Sequence, residues 1–297
     1  MKPSINNSVT NIERSKVFTY CSTFESKIVC GNPASIVFCK NKFPTIKQMQ
    51  QVAVQEKQPM TAFVLQQNNN SFLIKYFTPL GTEFGLCAHA SLIASYFIFQ
   101  KFGFKNVELI AKKLNLKLEL TNNYIKENNC YNIQIKLPAY IPNLVQSNLP
   151  LPYLTCLNID TDLVQAVYTC NELNDEIIIL KNSEILRSIK PNFKTLKTKL
   201  ALTNTRGLLL TALSSMKNMD YEVRIFAPHF GINEDISCGS ANCSLLPLWS
   251  SLLQTTPNKE FRIICPYNGL ENTIGGIEFG KYDKKNNYVY IGGLINN

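Results

Sequence analysis

The chain repeats itself around two cysteines, and that repeat limits the folds open to it. Tyr76-Phe77-Thr78-Pro79 leads to Glu83-Phe84-Gly85-Leu86-Cys87-Ala88-His89-Ala90. Ile225-Phe226-Ala227-Pro228 leads to Glu234-Asp235-Ile236-Ser237-Cys238-Gly239-Ser240-Ala241. Each copy has an aromatic and a small residue before proline, a short loop, then Glu-x-x-x-Cys, a small residue, a polar one and alanine. An apolar stretch follows each cysteine, from Ser91 to Phe99 and from Leu245 to Trp249. Self-similarity of this kind marks duplication of one unit. The unit is a strand ending in proline, a loop, and a helix whose first turn contains the cysteine. Both helices are apolar on nearly every side, which predicts burial inside a sheet rather than packing across one. Pro247 interrupts the second helix and predicts a bend or an early break there.

The flanking sequence fits an α/β (α+β) chain of two similar domains. Short β-rich runs, such as Ser35 to Cys39, Ala62 to Leu65 and Phe72 to Phe77, fill the first half, with helical spacing from Thr45 to Glu56. The second half alternates likewise, with strand-like Glu176 to Leu180 and Gly207 to Ala212, and helical Ser183 to Ile189 and Phe193 to Leu200. Met1 to Ser15 reads as a flexible tail. The proline-rich stretch from Pro138 to Pro152 supplies a linker over residues 141–150. The expected domains are therefore residues 16–140 and 151–297.

Composition narrows the function classes. With 297 residues, 45% of them hydrophobic, the chain can build substantial cores and is not predominantly disordered. Its 30 Lys+Arg against 21 Asp+Glu give a net charge of +9. The lysines are scattered, without a basic block or a nucleic-acid-binding signature, so solvated faces and attraction of an anionic substrate are expected, not nucleic-acid binding. The start lacks an apolar secretory core, and the longest apolar runs fall short of the ~20 residues that cross a bilayer. A soluble cytoplasmic protein without membrane contact, its cysteines reduced, is the expectation. Ten cysteines and two histidines include no Cys-x-x-Cys and no finger spacing, so no metal site is expected. Most of the cysteines should be small buried hydrophobes.

Cys87 and Cys238 are the exceptions. A helix N-terminus stabilises a thiolate, and its free backbone N–H groups suit a carboxylate. If two related halves bring these helix starts to one cleft, one thiolate can remove the α-proton of a bound acid while the opposite thiol protonates the other face. Such a pair inverts a stereocentre without a cofactor, and the N–H groups stabilise the charge that develops on the carboxylate.

At these residues the sequence resembles the PhzF (phenazine biosynthesis-like) family, within the wider diaminopimelate epimerase-like fold. The resemblance runs from Lys16 to Leu294. It rests on Cys30-Gly31-Asn32-Pro33-Ala34-Ser35, on Phe77-Thr78-Pro79 with Leu86 to Ala90, and on Arg224 to Pro228 with Glu234 to Ala241. It implies two similar domains, each a curved mixed β-sheet around a central helix, with the active site between them, and a homodimer. It also implies that Asn32, His89, Asp235, Gly239 and Ser240 bind or orient a small carboxylic-acid substrate.

Two departures from the family pattern bear on the chemistry. PhzF-type isomerases carry a proton-transferring glutamate just before a Thr-Ala-Phe-Val-like strand. Here Met60 precedes Thr61-Ala62-Phe63-Val64, and the nearest carboxylate is Glu56. Cys238 stands where many relatives have threonine, which makes the pair similar to the two thiols of diaminopimelate epimerase and proline racemase. The expected function is a cofactor-independent racemase or epimerase of a small amino or hydroxy acid, with Cys87 and Cys238 as the catalytic pair. Two other readings stay open: a double-bond isomerase in which Asp235 or His89 replaces the glutamate, and a non-catalytic metabolite binder.

Overall fold

A computed structural model describes residues 9–17, 23–24, 27–125, 130–145, 153–267 and 273–295. The first half runs β1 (Val9–Val17), β2 (Thr23–Phe24), β3 (Lys27–Val29), β4 (Asn32–Cys39), α1 (Ile46–Glu56), β5 (Met60–Gln66), β6 (Ser71–Phe77), β7 (Glu83–Phe84), α2 (Ala88–Phe102), β8 (Asn106–Ala111), β9 (Leu116–Ile125) and β10 (Cys130–Pro138). The second runs β11 (Asn143–Leu144), α3 (Leu154–Leu157), β12 (Val164–Cys170), β13 (Asp175–Leu180), α4 (Ser183–Ser188), α5 (Phe193–Thr203), β14 (Gly207–Leu213), β15 (Tyr221–Ala227), β16 (Ile232–Asp235), α6 (Asn242–Leu252), β17 (Glu260–Pro266), β18 (Thr273–Asp283) and β19 (Tyr288–Ile295).

Strand pairing repeats from one half to the other. In the first, β1–β4 is antiparallel, β4–β5 parallel, β5–β6 and β6–β7 antiparallel, β6–β8 parallel and β8–β9 antiparallel. In the second, β12–β13, β13–β14, β14–β15, β15–β16, β15–β17 and β17–β18 follow the same order of senses. A parallel pair needs a crossover, usually helical. Here α1 and α2 supply the two crossovers of the first half, and the α4–α5 pair and α6 those of the second. The duplication seen in the sequence is thus a duplication of topology.

Contacts divide the chain into two compact units that exchange short segments. Gly31–Leu137 joins Tyr290–Asn297 in one unit, and Cys21–Cys30 joins Pro138–Val289 in the other. Pairing explains the exchange: β3 runs parallel to β18, with Ile28 opposite Thr273, while β19 pairs with β10. A linear division into residues 16–140 and 151–297 misses both swaps. The supposed tail is also corrected, because Val9–Val17 forms β1 against β4; residues 1–8 lie outside the described part. Of the expected linker 141–150, Asn143 and Leu144 pair with Thr169 and Tyr168 of β12, and residues 146–150 lie outside the description.

Local sequence accounts for the crossover helices. Thr45 and Gln48 form a reciprocal capping box at the start of α1, whose Met49, Val52 and Ala53 pack with Val37, Phe63 and Phe77. α2 is buried at every position from Ala88 to Tyr96, as its all-round apolar sequence requires, and it ends on left-handed Gly103. α6 is buried from Asn242 to Trp249 and continues through Pro247 to Leu252. Proline has no N–H for the carbonyl four residues earlier, that of Cys243. That carbonyl accepts the Tyr140 backbone N–H instead, at 2.8 Å. Satisfying it from outside the helix lets α6 run on where the sequence alone suggests a break.

Candidate active site

The repeated glutamates prove to be structural. Glu234 on β16 receives two hydrogen bonds from Arg224 on β15, at 2.6 and 3.0 Å. The same guanidinium donates to the carbonyls of Leu186 and Ile189, so its burial is fully compensated. In the first unit Glu83 pairs with Lys75 at 3.4 Å. Lys75 and Arg224 each stand four residues before the repeated proline. Each unit therefore uses a cation–glutamate pair to close the loop that leads to its cysteine.

Cys87 is the residue that begins α2, with extended backbone angles, and its side chain caps nothing. The first amides of a helix have no intrahelical acceptor. Its own carbonyl is held twice, by the Ser91 N–H at 3.0 Å and the Ser91 hydroxyl at 2.8 Å, and Tyr76 meets that hydroxyl at 2.6 Å. The sulfur lies 3.3 Å from His89 Nδ1. Asn32, buried at the start of β4, brings its Nδ2 to 3.2 Å from the same nitrogen. An amide N–H donates, so Nδ1 is the acceptor of a neutral ring. Burial lowers the His89 pKa to about 4, and a hydrogen bond to the Pro33 backbone offsets this only in part. Neutral His89 and Asn32 thus lie beside Cys87 at the helix start. Gly31, left-handed at φ 67°, turns the chain into that strand.

Cys238 occupies the corresponding point of the second unit with one difference. A 3₁₀ turn, Gly239–Ala241, separates it from α6, so the thiol is not in the first α-helical turn as the sequence suggests. Its sulfur lies 3.4 Å from Ser240 Oγ. Ser240 Oγ accepts from Arg206 Nη1 at 2.8 Å, which leaves the hydroxyl proton able to face the sulfur. Arg206 in turn forks onto buried Asp175, with Nε 2.9 Å from Oδ1 and Nη2 on Oδ2. Asp235 ends β16 and accepts the Ser237 N–H at 3.4 Å rather than capping α6. Burial, and then the Asp235 charge, push the Cys238 thiol well above its ordinary range, although Arg206 and Ser240 pull the other way. A thiolate at the helix start was the expectation; at this cysteine desolvation wins, and the group is a thiol at neutral pH.

The seven residues singled out in the sequence therefore form two clusters. Cys87, His89 and Asn32 meet in one unit; Cys238, Asp235, Gly239 and Ser240 share one turn of the other. Sequence reading missed Arg206, Asp175, Ser237, Asn242 and Glu278, which support the second cluster from strands, from loops and from the start of α6. One signal was present, the Gly275-Gly276 pair. A Cβ on Gly275 would lie 2.0 Å from the Ile236 carbonyl, and one on Gly276 2.5 Å from Ser237 Oγ. Glycines inside a strand mark such close approaches.

Most of the other thiols among the described residues are packing residues. Cys39, Cys156, Cys170, Cys243 and Cys265 are buried, and desolvation pushes Cys39 and Cys243 up to about 12. Met60 is buried at the start of β5, opposite Ala34 of β4. Glu56 closes α1 and accepts the Ser35 hydroxyl at 2.7 Å, so the nearest carboxylate is already engaged. Among the described residues no group of three His, Cys, Asp or Glu can hold a metal ion, and no helix is long and apolar enough to cross a membrane.

Comparison with known proteins gives a consistent result. The pattern of the phenazine biosynthesis-like protein family matches residues 21–294. An uncharacterized isomerase of Pseudomonas aeruginosa is 28% identical over 238 residues, 80% of this chain and 82% of that protein. A putative phenazine biosynthesis PhzC/PhzF protein from Clostridium difficile superposes with a TM-score of 0.73 at 27% identity, covering 96% of both chains. A probable proline racemase from Agrobacterium radiobacter shares the fold at 9% identity, with a TM-score of 0.59 over 96% of this chain and 91% of that one.

Proposed function

Because the chain belongs to the phenazine biosynthesis-like family, we propose that it is an isomerase, a racemase or epimerase of a small amino or hydroxy carboxylic acid, working without a cofactor. Support comes from the relative named as an isomerase and from the racemase that shares the fold. The observation that carries the thiol chemistry is the equivalent station of Cys87 and Cys238, each at the start of the buried crossover helix of a topologically matched unit. In this reading both helix starts face one bound acid, and its carboxylate takes amides such as those of Gly239 and Ser240.

Cys238, protonated at rest, gives its proton to one face of the α-carbon, and Cys87, as a thiolate at the start of α2, takes the proton from the opposite face. The carbon–hydrogen bond broken on one side is replaced on the other, so the substrate keeps its composition and inverts. Ser240, held by Arg206, donates to the Cys238 sulfur as it becomes anionic. Asn32 and neutral His89 bring no positive charge to the Cys87 side, so no second positive group competes for the carboxylate. A homodimer in the cytosol completes the proposal, which sedimentation and cell fractionation can check.

The test is proton NMR of a panel of small amino and hydroxy acids in D2O with enzyme. Exchange of an α-proton, lost in both Cys87→Ala and Cys238→Ala, supports the reading; unchanged exchange in both variants would sink the two-thiol step. A specific observation favours a second reading: Asp235 lies close enough to raise the neighbouring thiol, and so could itself move a proton in a double-bond isomerisation. Activity that survives Cys238→Ser but not Asp235→Asn selects that alternative.

A further inference from the structure

One buried acid lies outside the scheme above. Glu278, on β18 opposite Ile263 of β17, is 6% exposed. Its two oxygens go to two different places. Oε1 accepts the Ser237 hydroxyl at 2.5 Å, and Oε2 accepts Asn242 Nδ2 at 2.5 Å. Ser237 immediately precedes Cys238, and Asn242 is the first residue of α6. The carboxylate therefore spans the segment that carries Cys238, Gly239 and Ser240. The rest of the floor is equally tight. Gly275 and Gly276 admit Ile236 and Ser237 against the β18 backbone. The Cys265 thiol on β17 lies beside Ser237 and the Cys238 backbone. Tyr221 on β15 fixes Asn242 from the far side, its hydroxyl donating to Oδ1 at 2.6 Å.

We propose that Glu278 is a positioning residue, a clamp that ties both ends of the Ser237–Asn242 turn and so sets the direction of the Cys238 sulfur and of the Gly239 and Ser240 amides. The assignment rests on the reading that this turn meets the substrate. A carboxylate suits the task because both donors need an acceptor at once, and an ionised carboxyl offers two. When protonated, one oxygen becomes a donor; Ser237 can rotate to accept from it, but the Asn242 amide cannot. The neutral acid therefore keeps both ties, with the Ser237 bond reversed, and the ionised acid accepts both. The groups that face it are Asp235 at the end of β16, Ser237 and Asn242 on the turn, and Cys238, Cys265 and Tyr221, which feel its charge. Burial and Asp235 raise its pKa to about 7, against the pull of Ser237 and Asn242, which puts the transition in an accessible range.

Backbone hydrogen exchange of the full-length protein, followed by mass spectrometry and corrected for intrinsic rates, tests this without any substrate. In the natural protein, residues 237–242 should be protected on both sides of pH 7, because either protonation state of Glu278 keeps the two ties. Glu278→Gln, whose amide still accepts from Asn242 and can donate to Ser237, should keep that protection, and Glu278→Ala should exchange this turn about tenfold faster at pH 7.5, with residues 87–92 unchanged, as loss of a buried tie implies. Iodoacetamide labelling gives a second readout: Glu278→Gln removes a charge that disfavours the thiolate, so Cys238 should alkylate several-fold faster at pH 8, with Cys87 unchanged. Unchanged protection in Glu278→Ala, or unchanged Cys238 labelling in Glu278→Gln, would overturn the proposal, as would equal changes at both cysteines. Should Glu278→Ala fail to fold, the isosteric variant still decides. Since neither readout involves turnover, a negative result here is separable from failure of the two-thiol reading, which α-proton exchange tests alone.

Discussion

Cys87 and Cys238 hold the same station in two units of the same topology, yet their surroundings differ in kind. The first lies among neutral partners, His89 and Asn32, with its carbonyl fixed by Ser91 and Tyr76. The second lies among charges, with Asp235 beside it, Arg206 and Asp175 behind Ser240, and Glu278 beneath the turn. Duplication preserved the crossover that presents a sulfur at a helix start, while substitution at a few strand positions rebuilt the electrostatics around each. A scaffold made twice can thus supply two thiols of unequal character, which is what a donor and an acceptor of one proton require.

The largest effect expected is on turnover, and it addresses the comparison directly. Cys87→Ala and Cys238→Ala should each slow α-proton exchange about 10²–10⁴-fold, the range that a general acid or base supplies. If only one variant does so, the equivalence of the two stations is structural and not chemical.

Next in size is Asp175→Asn. Its side chain is fully buried and its partner Arg206 only 19% exposed, so leaving that cation unpaired should cost about 3 kcal/mol by denaturant titration. The same variant should loosen Ser240 and leave the Cys87 cluster intact. A silent Asp175→Asn would mean that the charged setting of Cys238 has no mechanical role.

Acid–base behaviour separates the two units by sign. Folded His89 has shed its proton by about pH 4, whereas unfolded histidine holds one up to about 6.5. Its contribution to stability therefore grows as pH rises from 4 to 6.5 and is lost on acidification. Folded Glu278 keeps its proton to about pH 7, whereas an unfolded glutamate loses it near 4.5. Its contribution is full below 4.5 and is lost as pH rises towards 7. Each spans about 3 kcal/mol by linkage, and between pH 4.5 and 6.5 they oppose one another. Relative to the natural protein, His89→Gln should tilt stability towards acid and Glu278→Gln towards neutral pH, in melts from pH 4.5 to 7. Matching curves for the two variants would remove the distinction drawn here.

The smallest effect concerns the backbone behind Cys87. Ser91→Ala removes the hydroxyl that links Tyr76 to the Cys87 carbonyl, and should cost about 1–2 kcal/mol in equilibrium unfolding. No shift in Cys238 labelling should accompany it.

Much of this was legible in the sequence because the duplication is local. The proline, the loop, the cysteine and the apolar helix lie within about twenty-five residues of each other in each copy, and periodicity exposes such patterns. The Thr45–Gln48 capping box and the buried faces of α2 follow from the same short-range logic. Three expectations failed for a common reason. Residues 9–15 belong to the expected tail, Met1 to Ser15, but pair with β4 as part of β1. Pro247 predicts a bend or an early break, and the helix does not end early, because the Tyr140 amide takes up the orphaned carbonyl. The Cys238 thiol is raised rather than lowered, because buried surroundings and Asp235 outweigh the helix start. In each case the deciding group is remote in sequence or invisible to a local pattern.

The sequence by itself determined the repeated unit, its strand–loop–helix grammar and the two cysteines at matching stations, since these depend on residues a few positions apart. Tertiary structure alone decided what each cysteine faces. Glu278 reaches Ser237 across 41 positions and Arg206 reaches Ser240 across 34. Electrostatic environment is a property of distance in space, and a chain that brings such separated residues within 3 Å leaves no local trace of the pairing.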